Sequence, residues 1–189
     1  TIADRNRDAA ERYAARLAQP AIDALEVDAR DPERLTQVLR EYDVVVSTIG
    51  PYYLFGCGVL ECAIAAGCHY IDICDDPEPT LAMLALDARA RAADITAIVG
   101  MGASPGVANL LASQAIRRAG EPHRVVTTWG SSSRAKEDAN SDQDLGAALD
   151  HWVEQLTGQI PVYAQGRIVA SRPLAAVDLH VPGLGRVLA

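Results

Sequence analysis

The chain lacks what binding to polyanions needs. It has 189 residues, with 17 Lys+Arg against 25 Asp+Glu and a formal net charge of −8; its one lysine is Lys136. No long Lys/Arg run occurs, so no nucleic-acid partner is expected. Nor does any apolar run approach the roughly 20 residues that cross a bilayer, which leaves no membrane partner to expect. The opening residues, "TIADRNRDAAERYAARL", are charged and helix-like and do not read as an export signal. The expected compartment is therefore the cytoplasm, where cysteines stay reduced. Close Cys-x2-Cys pairs are missing too. Cys57, Cys62, Cys68 and Cys74 are separated by four, five and five residues. On a helix Cys57 and Cys62 diverge by about 140°. That spacing disfavours a four-cysteine metal site or a structural disulfide; it expects buried thiols and no metal. What the chain does have, 49% hydrophobic and 22% charged residues, is the balance of a globular protein.

Over the first 110 residues, strands alternate with helices. "TIA" (1–3) ends a strand, and the segment from Asp8 to Leu17 reads as an amphipathic helix with Tyr13 and Leu17 on one face, stopped near Pro20. "AIDALEVDA" (21–29) suits a short strand. "DPERLTQVLREY" (31–42) places Asp31 as N-cap and Pro32 at the first helical position. "DVVVSTIG" (43–50) predicts a strand buried on both faces. A helix over 57–67 closed by Gly67, a strand over 69–74, one long helix over 79–94 and a strand over 95–100 follow. "MGASPGVANLLASQAIRR" is then a Gly-rich turn entering a helix. Such alternation predicts an α/β fold with a doubly wound parallel sheet. After Gly120 the pattern changes: a strand over 123–130, a polar loop over 131–144, a helix over 145–158, and a hairpin around "QGR" within 160–170. The expected division is 1–122 and 123–189, the second part α+β and incomplete.

The residues with chemistry to offer cluster where these strands end. In a dinucleotide-binding sheet, the second strand ends on an acid that bonds the adenosine ribose. Asp4 stands in that place, or else caps the next helix. Arg5 beside it would instead favour a 2′-phosphate, so the cofactor is written NAD(P). The usual G-x-G-x-x-G would lie about 20 residues before that acid. The expectation is thus a chain that lacks the first strand and its phosphate loop, either as a piece of a longer protein or with the strand supplied from elsewhere. Asp28 could approach the adenine end or simply start a turn. Ser47, Gly50 and Pro51 end the central strand, where a Gly lets the backbone come close to a ligand. "HYIDICDDPE" sets Tyr70, Asp72 and Cys74 on one strand face and His69, Ile71 and Ile73 on the other. A buried Asp72 needs a partner, substrate or backbone amide. In "GMGASPGVANLLA", Gly100, Gly102 and Gly106 precede a helix that Ser104 would cap and Pro105 would start, with Asn109 one turn inside; free amides there could face an anion.

Together "ADRN", "VDARD", "YDVVVSTIGPYYLFGCGVLECAIAAGCHYIDICDD" and "GMGASPGVANLLA" resemble the saccharopine dehydrogenase-like family of NAD(P)-dependent oxidoreductases, over roughly residues 1–120. The resemblance implies a Rossmann domain followed by a mixed-sheet catalytic domain that also dimerises, hence a homodimer. It implies hydride transfer at a C–N bond of an amino-acid-derived imine or secondary amine. It also implies that Ser47, Gly50 and Pro51, then Pro105, Gly106 and Asn109, lie near the cofactor and its junction with the catalytic domain. Substrate-binding Arg and Lys residues are expected beyond this chain.

On this reading the substrate is small and amino-acid-like. Tyr70 and Asp72, and less directly His69, are candidate proton donors. A different reading is a non-catalytic Rossmann-like domain that senses nucleotides or dimerises. A short-chain dehydrogenase is disfavoured, because Tyr42, Tyr52, Tyr53 and Tyr70 all lack a lysine four residues on.

Overall fold

The computed structural model describes residues 1–17, 22–128, 157–174, 176, 178–181, 183 and 185–188. Two compact units divide the chain, Thr1–Val125 and Val126–Ala189. The expected stop at Pro20, the polar loop over 131–144 and residues 145–156 of the expected last helix lie outside the described residues.

The first unit is a Rossmann-like α/β arrangement. Its elements in order are β1 (Ile2–Asp4), α1 (Arg7–Arg16), β2 (Ala24–Glu26), α2 (Pro32–Leu39), β3 (Val44–Ser47), α3 (Tyr52–Ala66), β4 (His69–Asp72), α4 (Pro77–Leu84), α5 (Asp87–Ala92), β5 (Ala97–Ile98) and α6 (Ala108–Ala119). β1 pairs with β2, and β3, β4 and β5 pair in that order, all parallel. Parallel strands need crossovers, which is what the intervening helices supply. Among the described residues, neither β1 nor β3 has a second ladder partner. The Tyr42 hydroxyl donates to Thr1 Oγ1 at 3.0 Å, tying the amino ends of β1 and β3.

Local chemistry sets the helix ends. Asp31 Oδ1 accepts from the Arg34 amide at 3.0 Å ahead of Pro32, as the sequence predicts. α1 is capped by Asn6, whose Oδ1 accepts from the Ala9 amide, and not by Asp4. Gly67 closes α3 in the left-handed region at φ 72°. α3 starts five residues earlier than its pattern predicts. Gly56 and Gly58 weaken that pattern, yet a Cβ at Gly56 would sit 3.2 Å from Met83 Sδ, so glycine there lets α3 lie close to α4.

The core lies where α2, α3 and α4 cover one face of β3–β4. Leu60, Ala63, Tyr70, Asp72 and Met83 are almost wholly buried there. The other face overturns the expectation for β3. Val44 and Val46 are 47% and 60% exposed and Ile73 is 43% exposed, because among the described residues nothing covers that side. Two further expectations change. The helix over 79–94 is two, α4 and α5; the break lets Met83, Leu86 and Ala90 all turn to the core. In α1 the buried positions are Ala10 and Ala14, small enough for close approach to β1 and β2, while Tyr13 and Leu17 stay largely exposed.

In the second unit, β6 (Ile160–Ala164) and β7 (Arg167–Ser171) form the expected antiparallel hairpin. Gln165 and Gly166 both have positive φ, 52° and 77°, as a two-residue type I′ turn requires. β8 (Asp178–Val181) and β9 (Gly185–Leu188) pair as a second hairpin, not foreseen from sequence. Residues 123–128 form no strand.

Candidate functional site

Parallel strands converge their carboxyl ends on one edge, and the loops beyond them are where such sheets hold ligands. Two groups of the expected residues gather there. The first lies at the ends of β1 and β2. Asp4 Oδ1 accepts from the Asn6 amide at 2.8 Å, and the Asp4 carbonyl accepts from the Val27 amide at 3.0 Å. Asp28 accepts from the Arg30 amide at 2.9 Å and from Arg30 Nη2 at 2.6 Å. Those Arg30 hydrogen bonds hold the Asp28 carboxyl well below its ordinary value, at about 2. Asp28 thus builds the turn while leaving a fixed charge pair at the rim.

A shallow concavity of about 550 Å³ opens beside it, lined by Arg5, Asn6, Arg7, Asp8, Glu26, Asp28 and Arg30. Arg7 is bonded to Glu11 at 2.9 Å and Arg30 to Asp28. Among the described residues Arg5 makes no hydrogen bond or ion pair, so its guanidinium is the cation at this edge free to meet an anion.

The second group lies at the ends of β3, β4 and β5. Ser47 is buried, and among the described residues its Oγ meets no hydrogen-bond partner of good geometry, with the Tyr70 hydroxyl its polar neighbour. Its carbonyl accepts from the Tyr52 hydroxyl at 3.0 Å, and that hydroxyl accepts from the Ile73 amide at 3.4 Å. Burial pushes the Tyr52 phenol up to about 12. Asp72, fully buried, accepts through Oδ1 from the Gly100 amide at 2.7 Å and the Cys74 amide at 3.0 Å; its carbonyl accepts from the Met101 amide at 2.7 Å. Among the described residues Asp72 Oδ2 meets no hydrogen-bond partner of good geometry, though the Tyr70 hydroxyl lies close enough to feel this carboxyl. Tyr70 is fully buried, its hydroxyl 3.8 Å from Met83 Sδ, and burial raises the phenol far above its usual value. Neither Asp72 nor Tyr70 reaches the surface. His69 begins β4 at the opposite end of the strands, its Nδ1 accepting from the Thr96 amide, so the structure does not bring it to this edge.

The glycines differ in what they do. A Cβ on Gly106 would lie 2.6–2.8 Å from backbone atoms of Met101 and Gly100, so only glycine closes that loop. Gly100 has φ 73° with the Cys74 carbonyl 3.1 Å from a Cβ position, and a Cβ at Gly102 would make ordinary contact with Ile73. A Cβ built on Gly50 would meet no described atom within 4 Å outside its chain neighbours, so open space faces the backbone there. The Gly50–Pro51 and Ser104–Pro105 bonds are cis. Ser104 makes no capping bond: Ala103–Val107 forms a wide turn, and α6 starts only at Ala108, with Asn109 exposed in its first turn. Pro105 and Gly106 belong to that turn.

Sequence reasoning missed Tyr52 as more than core packing. The available signal was a tyrosine in an apolar helix start, whose hydroxyl must find a partner once buried. The cysteines are free thiols, and Cys62, Cys68 and Cys74 are buried. Burial raises Cys68 and Cys74, consistent with packing roles. The residues present are of the kinds a dinucleotide needs: the Arg5 guanidinium beside Asp4 at one end, and room for a Cβ at Gly50 with a glycine loop at the other.

Comparison with known proteins agrees with this geometry. The family model described as "Saccharopine dehydrogenase NADP binding domain" matches residues 1–98. A saccharopine dehydrogenase (L-Glu forming) from Saccharomyces cerevisiae, solved in its apo histidine-tagged form, superposes with a TM-score of 0.52 at 27% identity, covering 61% of this chain and 24% of that one. A Caenorhabditis elegans protein named "Lipid droplet localized protein" is 34% identical over 50 residues, 26% of this chain and 12% of its own length. The chain thus spans a quarter or less of the length of these two relatives. With a Rossmann-like parallel sheet, the expected residues at its strand ends and a family match over its first half, the chain belongs to the saccharopine dehydrogenase NADP-binding domain family, and its cofactor class is NAD(P).

Proposed function

We propose that the chain is the nucleotide-binding part of an NAD(P)-dependent oxidoreductase that moves hydride between a nicotinamide and a C–N bond of a small amino-acid-derived imine or secondary amine. The observation that carries this reading is the family match over residues 1–98, which ends on the strands whose loops form the candidate site. In it, Asp4 and Arg5 meet the adenosine ribose and its 2′ substituent, and Asp28 flanks the adenine. Ser47, Gly50 and Pro51, with Gly100, Gly102, Pro105, Gly106 and Asn109, line the nicotinamide end. A bound cofactor supplies the hydride; these residues hold it in place, and positioning is the protein's main contribution. Asp72 and Tyr70 are buried, which supports a role through the loops and not by contact with substrate. We place the protein in the cytoplasm as a homodimer. No helix among the described residues is long and apolar enough to cross a membrane.

The same burial favours a second reading, a non-catalytic nucleotide-sensing or dimerising domain, since neither Asp72 nor Tyr70, the candidate proton donors on β4, reaches the surface. Calorimetric titration with NADPH and NADH tests both. Binding of at least one nucleotide is expected. Arg5→Ala should weaken NADPH by about tenfold or more and leave NADH within about twofold, the loss of one charge-assisted phosphate contact. If neither nucleotide binds, the oxidoreductase and nucleotide-sensing readings fall and only a dimerising domain is left. Nucleotide oxidation in the presence of amino-acid-derived imines then separates enzyme from sensor.

A further inference from the structure

We infer that Asp72 is a positioning residue: its carboxylate and carbonyl, with the Tyr52 hydroxyl, fasten the loops after β3, β4 and β5 into one hydrogen-bonded unit. This rests on the proposed function only in assigning the first and last of those loops to the cofactor. The clamp itself rests on geometry.

Three segments meet at the carboxyl ends of the strands: 48–51, 73–76 and 99–107. A parallel ladder does not continue past its strands, so the amides that leave it need other acceptors. Asp72 supplies them at one point. Oδ1 takes the amide of Cys74, two residues on, and that of Gly100, from the next strand's loop, at 3.0 and 2.7 Å. The carbonyl of the same residue takes Met101 at 2.7 Å. A carboxylate accepting from two amides makes stronger bonds than a neutral acceptor, and no water competes at a fully buried site. Tyr52 repeats the device one strand away, donating to the Ser47 carbonyl and accepting the Ile73 amide, which joins the first loop to the second. The loops also run close together, since a Cβ added at Gly100 would lie 3.1 Å from the Cys74 carbonyl. Any shift of the 73–76 loop is therefore passed to Gly100 and on to the turn closed by Gly106. The clamp leaves the exposed rim, where a ligand would sit, to other residues.

Asp72→Ala and Asp72→Asn separate this from a general loss of packing, because Asn keeps an acceptor oxygen for both amides. In amide hydrogen exchange of the full chain, Asp72→Ala should speed Gly100 and Cys74 by about 30-fold or more and leave Val27, bonded in the other sheet, unchanged. Asp72→Asn should restore both to within about threefold. Tyr52→Phe, which keeps the ring, should speed Ile73 selectively and serves if Asp72→Ala does not fold. NADPH affinity should fall about tenfold in Asp72→Ala and recover in Asp72→Asn. Unchanged exchange at Gly100 and Cys74, failure of Asn to restore it, or unchanged NADPH affinity despite faster exchange each overturns the inference. If the unmutated chain binds neither nucleotide, the proposed function fails on that result, and the exchange rates alone decide the clamp.

Discussion

Asp28 shows how a partly exposed carboxylate becomes a fixed part of a surface. Arg30 meets it through its amide, Nε and Nη2, and these bonds lower its pKa from 3.8 to about 2. A depressed carboxyl contributes stability above the unfolded value, and that contribution is lost as pH falls through the folded value. The window is therefore pH 4 down to 2. Exposure to solvent keeps the effect small and sensitive to salt. Thermal denaturation at a series of pH values should show Asp28→Asn less stable than the unmutated chain at pH 7, with the difference closing between pH 4 and 2. A constant difference across that range would assign the role of Asp28 to turn geometry alone. Arg5 is the contrast at this scale. Two residues away along the edge, Arg7 is neutralised by Glu11, whereas among the described residues Arg5 forms no ion pair and acts on Asp28 only at longer range.

Among the elements, the segment from Gly100 to Val107 is where local pattern and final form diverge most. Ser104 followed by Pro105 has every mark of a helix start, yet the backbone first makes a wide turn, with Ser104 at φ −139°, ψ 118°. Sequence periodicity does not register such a turn, because it is set by contacts to residues far along the chain: Asp72 holds Gly100 and Met101, and Gly106 folds back on both. Gly106→Ala should cost about 1–3 kcal/mol, since its Cβ would overlap backbone that has no rotamer to give. Gly50→Ala is the paired measurement. With nothing within 4 Å, it should change stability by less than about 0.5 kcal/mol. If the backbone at Gly50 does meet a cofactor, the same variant weakens NADPH binding without touching the melting temperature. α3 teaches a related lesson, because Gly56 lowers helix propensity in order to admit Met83, and a propensity argument starts the helix too late for that reason.

For the molecule as a whole, the distribution of burial decides where substitution matters. One face of β3–β4 carries the core and the other carries Val44, Val46 and Ile73 in the open. Leu60→Ala, at 1% exposure under α2 and α4, should destabilise by about 2–5 kcal/mol in chemical denaturation. Val46→Ala, of similar hydrophobic chemistry but 60% exposed, should cost less than about 1 kcal/mol. Equal effects would mean that the open face is covered in solution. The order of strands and helices from β1 to β4, the Asp31–Pro32 helix start, the Gly67 stop and the Gln165–Gly166 hairpin were all legible in sequence. Each depends on interactions within a few residues, such as a cap, a ring that fixes φ, or a left-handed position. The alternation over 69–74 likewise put Tyr70, Asp72 and Cys74 on one face, as observed. What sequence alone could not decide was which face of the sheet helices would cover, and so whether Val46 or Tyr70 would be buried. Nor could it decide what Asp72 would hold. Those outcomes depend on residues 20 to 30 positions apart meeting in space, as Gly100 meets Asp72, and only the packed arrangement of the three strands brings them together.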